Sequence, residues 1–124
     1  MEKTTLHTGT KPLGPYSPGL RTPGFLFISG QLPLDPATGS LAAVPIDEQC
    51  RIIMKSIGVL LEKAGMTYHN LVKTTIFLTD LKDFTAVNTA YQEFLSEPYP
   101  ARSTVQVVAL PLGSVIEIEA IAQG

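Results

Sequence analysis

Hydrophobic positions along this chain change period twice, and the changes mark its elements. Through the N-terminal third, prolines and glycines break any period, most densely at Gly14-Pro15-Tyr16-Ser17-Pro18-Gly19, so turn or irregular strand is predicted there. Thr22-Pro23-Gly24 reads as a tight turn into Phe25-Leu26-Phe27-Ile28-Ser29, an apolar run of strand length that ends at Gly30. Asp35-Pro36-Ala37-Thr38-Gly39 is a further turn. From Asp47 to Ala64 the spacing becomes helical: Cys50, Met54, Ile57, Leu61 and Ala64 form one stripe, widened by Ile53 and Leu60, with Asp47 as the cap and Gly65 as the stop. Val72 to Thr79 alternates as a strand. A second helix is predicted from Asp83 to Leu95, presenting Phe84, Val87, Tyr91 and Phe94, and Glu97-Pro98-Tyr99-Pro100 ends it. A strand beginning near Arg102, a turn at Leu110-Pro111-Leu112-Gly113 and a last strand from Val115 to Ala122 complete the chain.

Strands, helix, strand, helix, two strands is the order of an α+β two-layer sandwich with both helices on one face of a single sheet. On the last strand Ile116, Ile118 and Ala120 share one side, while Val115, Glu117, Glu119 and Ile121 share the other, so the second side is partly apolar too. Two helices cover one face only, and the uncovered face predicts a homo-oligomer closed by cyclic symmetry. If the last two strands pair as a hairpin around Pro111-Leu112-Gly113, Arg102 and Glu117 stand about five residues, roughly 17 Å, apart along the strands. On that register a site using both must be shared between subunits.

Composition narrows the function classes. The 124 residues, 44% hydrophobic, fit one globular domain spanning 1–124. Nine Lys and Arg against eleven Asp and Glu give a net charge of -2 with no basic run, which suggests neither a nucleic-acid nor an anionic-membrane partner. No apolar signal core or membrane-length run is present, and a cytoplasmic protein is expected. The lone cysteine, Cys50, excludes an intrachain disulfide and falls on the buried helical stripe. His7 and His69 are far apart and not in metal-ligand spacing, so no metal site is predicted.

The chemistry concentrates in Pro100-Ala101-Arg102-Ser103-Thr104 and Ile116-Glu117-Ile118-Glu119. With period two, Arg102, Thr104 and Gln106 share one face and Ser103, Val105, Val107 and Ala109 the other, and the valine face is the expected core face. A guanidinium with two hydrogen-bonding neighbours suits a small carboxylate, although a structural ion pair would present the same pattern. Glu117 and Glu119 are rivals on one face, and either a general base or an ion-pair partner fits. Tyr16 reads equally as a core aromatic, Asn88 as a solvated helix residue, and Ser29-Gly30 as turn chemistry.

Gly14-Pro15-Tyr16, Ser29-Gly30-Gln31, Val72-Lys73-Thr74-Thr75, Val87-Asn88, Pro100-Ala101-Arg102-Ser103 and Ile116-Glu117-Ile118-Glu119-Ala120, in this order along the whole chain, resemble the Rid proteins, the reactive intermediate deaminases once called the YjgF family. The resemblance implies a chorismate-mutase-like fold assembled as a homotrimer, with the sheet faces forming a central barrel and pockets between subunits. It implies hydrolysis of reactive 2-imino or 2-enamino acids to 2-oxo acids and ammonia, with no cofactor. It gives Arg102 the grip on a substrate carboxylate, associates Glu117 with the attacking water, and places Tyr16, Ser29, Gly30 and Asn88 in the pocket. Thr104 stands where many deaminase members have cysteine, and Val108 where the family tends to a smaller residue.

Overall fold

A computed structural model describes residues 1–9 and 11–124 of the chain. Strands β1 (Thr4–Leu6), β2 (Gly19–Thr22) and β3 (Phe25–Gln31) precede helix α1 (Ile46–Lys63). Strand β4 (Leu71–Leu78), helix α2 (Phe84–Gln92) and strands β5 (Ala101–Gln106) and β6 (Ile116–Gln123) follow. They form one mixed six-stranded sheet in the order β1-β2-β3-β6-β4-β5. Both helices lie on one face, the two-layer α+β arrangement that the alternating and helical periods predict.

The core is the layer between helices and sheet. From α1 it takes Ile53, Met54, Ile57, Leu60 and Leu61, and from the sheet Leu26, Ile76, Leu78, Ile116 and Ile118, all essentially without exposure. Helix α1 lacks a side-chain cap: its N-cap is Pro45, and Asp47 sits in the first turn instead, paired with Arg51 one turn on. A carboxylate is favoured there by the helix dipole whether or not it caps. Arg51 also reaches Glu48 and, through Nη2 at 2.8 Å, Glu93 just beyond α2, tying the helices together. Gly65 at φ 73° ends the helix segment in the left-handed conformation. Cys50 is buried, and burial pushes its thiol up to about 12, which leaves it unreactive.

Two expectations about the sheet are overturned. The last two strands are not a hairpin: β5 pairs only with β4, in parallel, and β6 lies between β3 and β4. Helix α2 supplies the crossover that parallel pairing of β4 and β5 needs, and the chain then passes back over β4 to reach β6. The core face of β5 is also the opposite one. Arg102 and Thr104 pair with Thr74 and Ile76, whose side chains are buried under the helices, so they share the helix-covered face. Ser103 and Val105 pair with Thr75 and Phe77 on the open face. The open face of this sheet is partly apolar as well, so a valine alternation could not tell one from the other. The residues of the N-terminal third expected as turn or irregular strand include β1 and β2, and the Thr22-Pro23-Gly24 turn joins β2 to β3 as predicted.

Among the described residues no helix is long and apolar enough to cross a membrane.

Candidate active site

Arg102 stands on an edge strand under α2. Its Nη1 donates to Asn88 Oδ1 at 2.7 Å, and its guanidinium carbon lies 5.5 Å from the Phe84 ring centre and 5.2 Å from that of Tyr91. Phe84, Asn88 and Tyr91 are i, i+4 and i+7 on α2, one face of the helix turned onto the cation. Asn88 is therefore not a solvated helix residue. Tyr91 is itself fixed, because its hydroxyl and the buried Thr74 hydroxyl are 2.7 Å apart, and burial raises its pKa. Rings on the guanidinium favour the cation without neutralising it, so its remaining donors stay free for an anion. Around it, Asn88, Tyr91, Gln92, Leu95, Tyr99, Pro100 and Arg102 wall a depression of about 570 Å³. Thr104 shares the face of Arg102 but is not among these walls, and its buried Oγ1 has no hydrogen-bond partner among the described residues.

Tyr16, Ser29, Gly30 and Glu117 gather elsewhere. They meet in a second depression of about 300 Å³, closed by Leu13, Leu32 and Pro111. Glu117 rises from the open face of β6, opposite Phe77 on β4. Burial, and then the charge of Glu119 on the same face, raise its pKa above the ordinary carboxylate value. Gly30 is where β3 loses register with β6, and a Cβ there would lie 2.6 Å from the Glu117 carboxyl carbon. Glycine is what lets the carboxylate rest against the strand backbone. Ser29 Oγ donates to the Ser17 carbonyl at 2.6 Å, pinning the proline-rich segment that carries Tyr16. Tyr16 remains 47% exposed, its hydroxyl accepting from the Leu13 amide at 3.4 Å.

The predicted site residues thus form two groups on opposite faces of the sheet. Arg102, Thr104 and Asn88 occupy the helix-covered face at the β5 edge; Glu117 stands on the open face, with Tyr16, Ser29 and Gly30 around it. The separation read from a hairpin holds for a different reason, since β4 and the thickness of the sheet lie between them. Sequence reasoning missed Tyr91, Phe84 and Thr74, reading the two aromatics only as apolar-stripe residues. The seven-residue spacing of Phe84, Asn88 and Tyr91 was the available signal.

The sequence model of the family described as Endoribonuclease L-PSP matches residues 7–123. The 2-iminobutanoate/2-iminopropanoate deaminase of Homo sapiens is 42% identical over 110 residues, covering 89% of this chain and 80% of the relative. A RutC family protein of Pyrococcus horikoshii is 44% identical, covering 90% of this chain and 89% of the relative. Among solved structures, RidA from an Antarctic Psychrobacter superposes with a TM-score of 0.91 at 38% identity, covering 98% of each chain. TdcF from E. coli, solved with bound serine, superposes with a TM-score of 0.91 at 35% identity, covering 99% of each.

Proposed function

The chain belongs to the Rid (YjgF) family, and from that premise we propose that it is a deaminase hydrolysing reactive 2-imino and 2-enamino acids, such as 2-iminobutyrate and 2-iminopropionate, to 2-oxo acids and ammonia. The observation that carries this reading is Arg102, a cation held ready by two rings and one amide beside an open depression. Relatives named for that reaction support it. We propose further that three copies assemble through their open sheet faces, so that the Glu117 group of one subunit meets the Arg102 group of the next.

In that site Arg102 binds the substrate carboxylate through a charge-assisted fork and orients the neighbouring C2. Glu117, its basicity raised by burial and by Glu119, takes a proton from water as the oxygen adds to the iminium carbon. The C2–N π electrons pass to nitrogen, giving a carbinolamine. Glu117 returns that proton to the amine, and the C–N bond then breaks with its electrons leaving on nitrogen while the hydroxyl oxygen forms the C=O bond and gives its proton to Glu117, leaving the 2-oxo acid and ammonia. An enamine first takes a proton at C3 to become the iminium. Tyr16 and Ser29 border the water side, and no cofactor is required.

The test generates 2-iminobutyrate or 2-iminopropionate with an amino-acid oxidase and follows trapping by semicarbazide. The protein should suppress trapping and Arg102→Ala should not; unchanged trapping at high protein concentration contradicts the proposal. Arg102 and the residues that orient it all come from one protomer, which favours a second reading, capture of small 2-oxo or short-chain acids without turnover. Calorimetric binding of 2-oxobutyrate that is lost in Arg102→Ala, with no turnover, selects it. Serine bound to the E. coli relative supports a third, a reaction on another amino-bearing acid. RNA cleavage, named in the family description, has no basic track to support it in a chain of net charge -2.

A further inference from the structure

Beside the Glu117 depression, on the helix side of the chain, lies a separate cavity of about 250 Å³. Its floor is a second stripe of α1, Ile52, Lys55, Ser56 and Val59, displaced around the helix from the core stripe. The N-terminal segment contributes Lys11 and Leu13 as another wall, and the chain leaving β3 adds Leu32 and Leu34. Among the described residues no aspartate or glutamate lines it.

The two lysines are the informative part. Of the nine cationic side chains, six have a hydrogen-bond or ion-pair partner: Arg21, Arg51, Lys63, Lys73, Lys82 and Arg102. Lys3, Lys11 and Lys55 have none among the described residues, and two of these three, Lys11 and Lys55, border this one mostly apolar cavity. Two unpaired ammonium groups over an aliphatic floor complement a compact anionic head on a short apolar tail. Lysine offers a point charge without a planar fork, which suits a small carboxylate placed between two of them.

We propose that this cavity is a second binding site, lined by neither Arg102 nor Glu117, for short aliphatic monocarboxylates. The tail lies along Ile52 and Val59, and the head lies between Lys11 and Lys55. Leu13, Tyr16, Gly30 and Leu32 border both this cavity and the Glu117 depression, so the two share a wall. The proposal does not depend on the deaminase reading.

The test titrates hexanoate into Arg102→Ala, which lacks the other carboxylate anchor, and follows backbone amide resonances. Saturable shifts at Leu32, Ile52, Lys55 and Val59 are expected, with hexan-1-ol and hexylamine weaker by at least about tenfold. A Lys11→Gln/Lys55→Gln pair added to Arg102→Ala should weaken hexanoate by a similar factor, and both lysines are exposed, so the fold is kept. Absence of saturation below about 50 mM, shifts confined to other residues, or equal affinity for the alcohol or in the lysine double variant overturns the proposal. Loss of imine hydrolysis in the wild type would leave these outcomes unchanged, so the two readings fail separately.

Discussion

Arg102 is organised before any ligand arrives, because α2 presents two rings and an amide to it and Thr74 fixes one of the rings. Tyr91→Leu should therefore raise KM for a 2-imino acid by about tenfold with a smaller change in kcat, since it disturbs the anchor and leaves the water side alone. Equal losses in both constants, measured by imine trapping, would place Tyr91 elsewhere in the reaction. Gly30→Ala tests the other group. The new Cβ meets the end of a flexible side chain, so Glu117 swings away and the fold survives. Thermal stability should stay near wild type while kcat falls by at least about tenfold. Glu119→Gln probes the charge behind Glu117. Removing a like charge lowers the Glu117 pKa, the carboxylate persists to lower pH, and the acid limb of kcat/KM moves down. High salt should shrink that shift, because Glu119 is exposed and screened.

At the scale of elements, β6 carries most of the architecture. It pairs on both sides, with β3 and β4, and sends Ile116, Ile118, Ala120 and Ala122 into the core. Ile118→Ala should cost about 2–5 kcal/mol, read from the denaturant midpoint, whereas a change in the exposed Gln123 should be nearly neutral. Helices and strands were legible because their periods are strong: α1 runs Ile46–Lys63 against an expected Asp47–Ala64, and β4 is nearly as read. Strand partners were not legible. Alternation says which residues share a face but not which strand lies alongside, and Leu110-Pro111-Leu112-Gly113 resembles a hairpin turn although it serves a crossing over β4. The reversed face of β5 has the same origin, since Val105 points to an open face that is itself partly apolar. For the site, the residue pattern singled out Arg102 and the pair Glu117 and Glu119 as charges among apolar neighbours, and only the family resemblance separated Glu117 from Glu119. Tyr91 escaped because its spacing serves the core and the anchor at once.

For the whole molecule, the open face is the unfinished part. Phe25, Phe27, Val105 and Val115 remain substantially exposed on the isolated protomer, and Phe25 and Phe27 stack there with ring centres 6.0 Å apart. An apolar sheet face of this kind is stable in water when a second copy covers it. Val105→Asp should dissociate the assembly in equilibrium sedimentation while each protomer keeps its helical circular dichroism; an undisturbed oligomer would place the interface on another surface. The central claim is that the Arg102 and Glu117 groups, on opposite faces of one protomer, meet across subunits. Co-expressing Arg102→Ala and Glu117→Gln in equal amounts tests it directly. Each is inactive alone, and random assembly into trimers pairs an intact Arg102 with a neighbour's intact Glu117 in about one quarter of the sites. Recovery of about a quarter of wild-type imine hydrolysis is the result predicted; activity no greater than that of the two variants alone would contradict a shared site.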